Sequence, residues 1–178
     1  MAAALAVLAS SAVAAHGQGP GFRYGVAAGE VTSSSAILWT RAPAEGAVRL
    51  ELRTGGRRVV ERSLRALPAN DLTVQVRVDG LRPRTRYTYV FRQGAERRAG
   101  AFVTAPPATA SATVRFALTG DADATPAANG RPAYSFAVYA RMAADRNDFN
   151  VNIGDTIYSD SGVGGAPFAR TTAEKWMP

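Results

Sequence analysis

The stretch DGLRPRTRYTYVF, Asp79 to Phe91, runs a Gly-Leu-x-Pro turn into an aromatic-rich segment, and its reading decides the fold of the first half of the chain. It sits within a series of short β-type runs between residues 22 and 104: RYGVAAGEV, SSAILWTRA, AVRLELRT, RRVVERSLR, LTVQVRVDG, RYTYVFRQ and RAGAFVTA. Several alternate strictly: Val48, Leu50 and Leu52 against Arg49, Glu51 and Arg53, and Val74, Val76 and Val78 against Gln75 and Arg77. Period-two alternation places one face of a strand on a core and the other in water. About seven such runs, separated by turn residues, predict an all-β sandwich.

The turn and the Thr-x-Tyr-x-Tyr that follows it resemble the tyrosine corner of fibronectin type III-like domains. The resemblance implies that the Tyr87 hydroxyl bonds back to the upstream backbone, with Leu81 packed beneath it. Trp39, in the second run, is expected in the sandwich core. This unit, residues 20–106, gathers no cluster of acids, bases or nucleophiles, so it reads as structural or as a recognition module.

Composition bounds the rest. Of 178 residues, 47% are hydrophobic and 20% charged, a globular balance. The chain has no cysteine, which excludes a disulfide framework and thiolate metal ligands, and its one histidine is His16. The net charge of +7 is uneven: residues 20–113 carry fifteen arginines against seven acids, whereas residues 114–178 carry six basic residues against seven acids. The arginine excess reads as the solvated face of a β-sheet. No basic helix or aromatic-interleaved basic stripe marks a nucleic-acid-binding surface, although the charge can concentrate phosphate-bearing substrates. Residues 1–15, MAAALAVLASSAVAA, are apolar and small, end in an Ala12-Val13-Ala14 pattern, and are too short to span a bilayer. They read as a signal peptide without a basic leading region: either the signal is atypical, or that region lies upstream and could carry twin arginines. Export to periplasm, cell wall or medium is expected, without a transmembrane anchor.

After a Pro-, Ala- and Thr-rich linker (residues 107–113 at its narrowest), the pattern changes. Val114 to Leu118 form a short apolar run, and Gly120 turns the chain to present Asp121 and Asp123. Phe136, Tyr139, Met142 and Ala143 fall at helical spacing, with Pro132 suited to the first turn. FNVNI then leads into Gly154-Asp155, with Tyr158 three residues on. This predicts a β-α-β unit with a carboxylate beyond the C-terminal end of each strand, where ligands of parallel α/β sheets bind. Gly154 is expected to let the backbone turn sharply and aim Asp155 into the site. Asn150 and Asn152 read as structural.

The ordered set, sandwich and then strand-loop-helix-strand into Gly-Asp-x-x-Tyr, resembles the PhoD-like alkaline phosphatases and phosphodiesterases of the calcineurin-like metallophosphoesterases. RMAADRNDFNVNIGDTIYSDS carries the resemblance most directly. It implies a phosphomono- or diesterase with a binuclear or multinuclear centre, Fe3+ with Ca2+ or other divalent metals. Asp155 matches the bridging carboxylate and Tyr158 the phenolate ligand of iron. Asp121 falls where the first-strand ligand stands, with Asp123 as second candidate; part of the family has cysteine there. Such a centre activates water for in-line attack on phosphorus and neutralises phosphoryl charge. Residues 114–178 are then the start of the metallophosphatase domain.

A binuclear centre needs about four to six ligands per metal, and only three or four are visible here. His16 lies at the expected cleavage site. The chain is therefore expected to be an N-terminal fragment, monomeric and inactive by itself. Two alternatives compete: a non-catalytic secreted sandwich, whose three aspartates would be dispersed, and a purple acid phosphatase-like enzyme, which GDADA fits less well.

Overall fold

The computed structural model describes residues 21–123, 129, 131, 135–156, 158, 170, 171 and 174. The chain divides into two compact units, residues 1–110 and 111–178. The signal-peptide reading of residues 1–15, His16 and Pro132 all lie outside the described residues.

The first unit is a sandwich of two antiparallel sheets. Its strands are β1 (Val26–Gly29), β2 (Ser35–Arg41), β3 (Gly46–Thr54), β4 (Arg57–Ala66), β5 (Thr73–Asp79), β6 (Arg86–Gln93) and β7 (Glu96–Val103). One sheet has the order β1-β2-β5, the other β4-β3-β6-β7. Each strand coincides with one of the alternating runs. The alternation produces the core: Val48, Leu50 and Leu52 from β3, Tyr87, Tyr89 and Phe91 from β6, and Ala36, Leu38, Val74 and Val78 from the facing sheet are buried. Burying a leucine or phenylalanine side chain contributes about 1.5–3 kcal/mol, so this layer dominates the stability of the unit. Tyr89 finds room because β7 carries Gly100 opposite it: a Cβ there would lie 2.5 Å from the Tyr89 ring. Burial pushes the Tyr89 phenol up to about 12.

The corner predicted at Tyr87 is present. The Arg82 amide donates to the Tyr87 hydroxyl at 2.9 Å, Leu81 is buried, and Tyr87 stacks on Phe102 at 5.5 Å. Thr104, just after β7, closes the same corner, accepting from the Thr85 amide at 2.9 Å and donating to the Arg82 carbonyl at 2.6 Å.

Trp39 corrects one expectation. The core face of β2 is Ala36, Leu38 and Thr40, so the alternation places Trp39 with Ile37 and Arg41 on the outer face, half-buried. Thr40 takes an inward position without penalty because its hydroxyl donates to the Gly25 carbonyl at 2.8 Å.

In the second unit β8 (Phe116–Thr119) and β9 (Phe149–Asn152) pair in parallel, with the helix α1 (Ala137–Ala144) between them in sequence. Phe116 is opposite Phe149 and Thr119 opposite Asn152. Asp148 locks the start of the pair: its carboxylate accepts from the Arg115 amide, and its own amide donates to the Arg115 carbonyl, both at 2.8 Å. The helix starts at Ala137, and of the four residues expected on its inner face only Met142 is buried; Phe136 and Tyr139 are half-buried and stack on one another, and Ala143 is exposed. Parallel sheets are ordinarily covered on both faces, yet Phe116, Leu118, Phe149 and Ile153 are each about half exposed or more. Further on, Thr171 and Glu174 form a reciprocal capping box: the Thr171 amide donates to the Glu174 carboxylate at 2.8 Å and the Glu174 amide to Thr171 Oγ1 at 3.2 Å. The Thr-x-x-Glu spacing at 171–174 is its sequence signal.

Candidate functional site

The two strand tips of the second unit lie side by side, and the acids that follow them converge. Beyond the last paired residues the ladder continues through the Ile153 amide to the Thr119 carbonyl at 2.8 Å. After β8, Asp121 has a left-handed φ of 46°, a region where aspartate is among the less costly non-glycine residues. Here the Ala122 amide donates to the Asp155 carbonyl at 2.7 Å, and Asp121 Oδ1 accepts from the Asp155 amide at 3.2 Å.

The chain bends at Gly154, as expected, although its φ is not in the left-handed region; the left-handed residue is Asp121, in the other loop. What Gly154 provides is space: a Cβ there would lie 2.8 Å from both the amide nitrogen and Oδ1 of Asp121. Only a residue without a side chain lets the two loops approach this closely. A Cβ added at Gly120, on the other tip, would lie 3.4 Å from the Gly154 amide nitrogen, an ordinary contact. Asn152 holds the same turn, its Oδ1 accepting from the Gly154 amide at 2.9 Å, and Asn150 Oδ1 accepts from Asn147 Nδ2 at 3.2 Å.

Tyr158 reaches back to the same point. Its hydroxyl donates to Asp121 Oδ1 at 3.0 Å, so that one oxygen joins the loop after β8 to two positions in the loop after β9. The phenol is pushed up to about 12, first by this hydrogen bond and then by desolvation and the negative charges of Asp121 and Asp155. Two carboxylates thus face one phenol that they hold protonated. Asp123 follows two residues after Asp121 and is half-buried. Among the described residues, no three of His, Cys, Asp and Glu gather closely enough to hold a metal ion. The cluster is a set of oxygen donors, two carboxylates and one phenol, the chemical class that suits hard cations.

Similarity to known proteins bears on both units. The family described as PhoD-like phosphatase, N-terminal domain, matches residues 7–106. The solved structure of PhoD is similar over 78% of this chain and 28% of its own, with a TM-score of 0.67 and 27% identity. That share of a 178-residue chain exceeds the 110 residues of the first unit, so the likeness extends into the second. The chain thus spans little more than a quarter of the PhoD chain. More distant likenesses are the sensor domain of the anti-sigma factor RsgI4 from Pseudobacteroides cellulosolvens (TM-score 0.36, 17% identity, 46% of this chain and 92% of that one), and the fn3 domain of human collagen alpha-1(XX) chain (0.36, 18%, 50% and 86%). No curated protein matches the chain.

Proposed function

The chain belongs to the PhoD-like phosphatases through their N-terminal domain, and from that membership we propose that it contributes the first metal ligands of an exported, metal-dependent phosphoric ester hydrolase acting on mono- or diesters. The observation that supports this reading is the convergence of Asp121, Asp155 and Tyr158 at the C-terminal ends of two parallel strands. Parallel α/β sheets hold ligands at that edge because loops from neighbouring strands bring their side chains together there.

In this reading Asp155 would hold both cations, Tyr158 would be the ligand suited to ferric ion, and Asp121, with Asp123 as the neighbouring candidate, would supply the ligand from the first strand, with calcium or another divalent ion as the second metal. When bound, such a centre neutralises charge on the phosphoryl group and supplies an activated water. The residues of this chain perform the positioning: Asp121 ties the two loops together, Gly154 permits their approach, and Asn152 fixes the turn on which Asp155 stands. Three or four oxygen donors fall short of the roughly four to six that each of two metals takes, so hydrolysis by these 178 residues alone is expected to be negligible.

The test is ferric-ion binding by the chain, followed by calorimetry and by the visible absorption of an iron-phenolate pair, alongside hydrolysis of p-nitrophenyl phosphate and bis-p-nitrophenyl phosphate with added Fe and Ca. Binding that is lost in Tyr158→Phe and Asp155→Asn supports the ligand assignment. Unchanged binding in both variants refutes it, and robust turnover refutes the expected inactivity.

A further inference from the structure

The outer face of the four-stranded sheet carries an arrangement that the hydrolase reading does not use. The registers place Arg49 on β3 opposite Arg92 on β6, and Arg92 opposite Arg97 on β7. Three guanidinium groups therefore stand in one row across three neighbouring strands, about 10 Å from end to end at the ordinary strand spacing. All three residues are exposed. Like charges directly opposite on a sheet destabilise it.

The carboxylates on the strands of this face are Glu51 and Glu61, which stand opposite each other one row away, and at its margin Glu45 bridges the outward Arg65 of β4 at 3.7 Å. Glu51 is engaged by Arg53, and Glu61 by Arg58 at 2.7 Å and, more distantly, by Arg49 at 3.7 Å. Arg53 and Arg86 add positive charge on the same face. The nearby arginines lower the Glu51 carboxyl, Arg53 first through its hydrogen bond.

Protection of sheet edges accounts for charge on β4 and β7, which are the edge strands. It does not account for Arg49 and Arg92, which sit on the two central strands. The face is flat and exposed, so a single small anion would gain little there. A chain of anions gains several contacts at once and releases its counterions, and the guanidinium fork bonds phosphate through two parallel N–H groups. Between the arginines the outward positions are Thr88, Val90, Ala99 and Ala101. Without an aromatic platform, nucleobases have nothing to stack on.

We propose that the outer face of the β4-β3-β6-β7 sheet is a docking surface for a linear, base-free phosphate polyanion, read by the row Arg49-Arg92-Arg97. It stands independently of the metal-ligand assignment, since it uses none of the same residues.

The experiment uses the full 178-residue chain and long-chain inorganic polyphosphate, with affinity measured across a salt series. The triple variant Arg49→Gln/Arg92→Gln/Arg97→Gln is expected to lose at least about tenfold in affinity and to lower the salt slope by about 2, at ~0.7 per contact on a single-stranded polyanion. The control, Arg115→Gln/Arg131→Gln/Arg146→Gln in the second unit, removes the same charge and is expected to change neither value appreciably. Unfolding midpoints of both variants check that the fold is kept. Equal losses in both triples would reduce the effect to net charge and overturn the proposal. So would wild-type affinity in the row variant, no binding at physiological salt, or equal affinity for polyaspartate or single-stranded DNA.

Discussion

Tyr158 donates its phenol hydrogen to Asp121 Oδ1 across 3.0 Å, joining residues 37 positions apart in sequence. The contact exists because β8 and β9 end together and because Asp121 turns through a left-handed conformation at the tip of the first. Without a cation, both carboxylates oppose ionisation of the phenol.

Titration of the metal-free chain should therefore show Tyr158 ionising near pH 12 rather than near 10, a shift that Asp121→Asn reduces. The shift is upward, so the neutral phenol's contact is intact below pH 10 and is lost as pH rises toward 12. Difference absorbance of wild type against Tyr158→Phe isolates the group. Ferric ion should move the ionisation down by many units; no movement would argue against coordination.

Gly154→Ala places a methyl group 2.8 Å from the amide nitrogen and Oδ1 of Asp121, and the backbone atom cannot swing aside as a side-chain end can. The loops must separate, at a cost of about 1–3 kcal/mol typical of overpacking. Amide resonances of Ala122 and Asp155, which report the two contacts between the loops, should shift, while those of the sandwich stay in place.

Tyr87→Phe leaves the Arg82 amide without its partner. The contact is only partly buried, and losing a hydrogen bond of this kind costs about 0.5–1.5 kcal/mol. The denaturant midpoint of the sandwich should fall accordingly with an unchanged slope; an unchanged midpoint would mean that water replaces the phenol there.

Leu50→Ala should be the most damaging of these changes. Leu50 has no exposed surface and is paired in register with Phe91, also fully buried. Core leucine truncations cost about 2–5 kcal/mol, enough to consume much of the stability of a small domain. A thermal midpoint lowered by only a degree or two would show that the sheets close over the space.

Alkaline pH should weaken the sandwich through Tyr89. Its phenol ionises near 12 in the folded chain against 10 when free, so the unfolded state loses its proton first. Stability is complete below pH 10 and declines from there toward 12. Tyr89→Phe should flatten that decline in a pH series of unfolding midpoints.

The sandwich was legible because its information is local. Val48, Leu50 and Leu52 alternate with charged residues, and any strand with that alternation must turn the same three inward to keep the charges in water. The same rule, applied to β2, places Trp39 outside, against its expected place in the core. The tyrosine corner was legible for a similar reason: Arg82 and Tyr87 are five positions apart.

Sequence alone determined which residues alternate, where the turns fall, and that two short apolar runs each end in an acid. Tertiary structure decided that Asp121 takes a left-handed conformation, that Gly154 permits a close approach of the loops, and that the phenol reaches the loop after β8. Those outcomes depend on parallel pairing of segments more than thirty residues apart, and the conformation of each loop is set by atoms of the other, which no short-range pattern specifies.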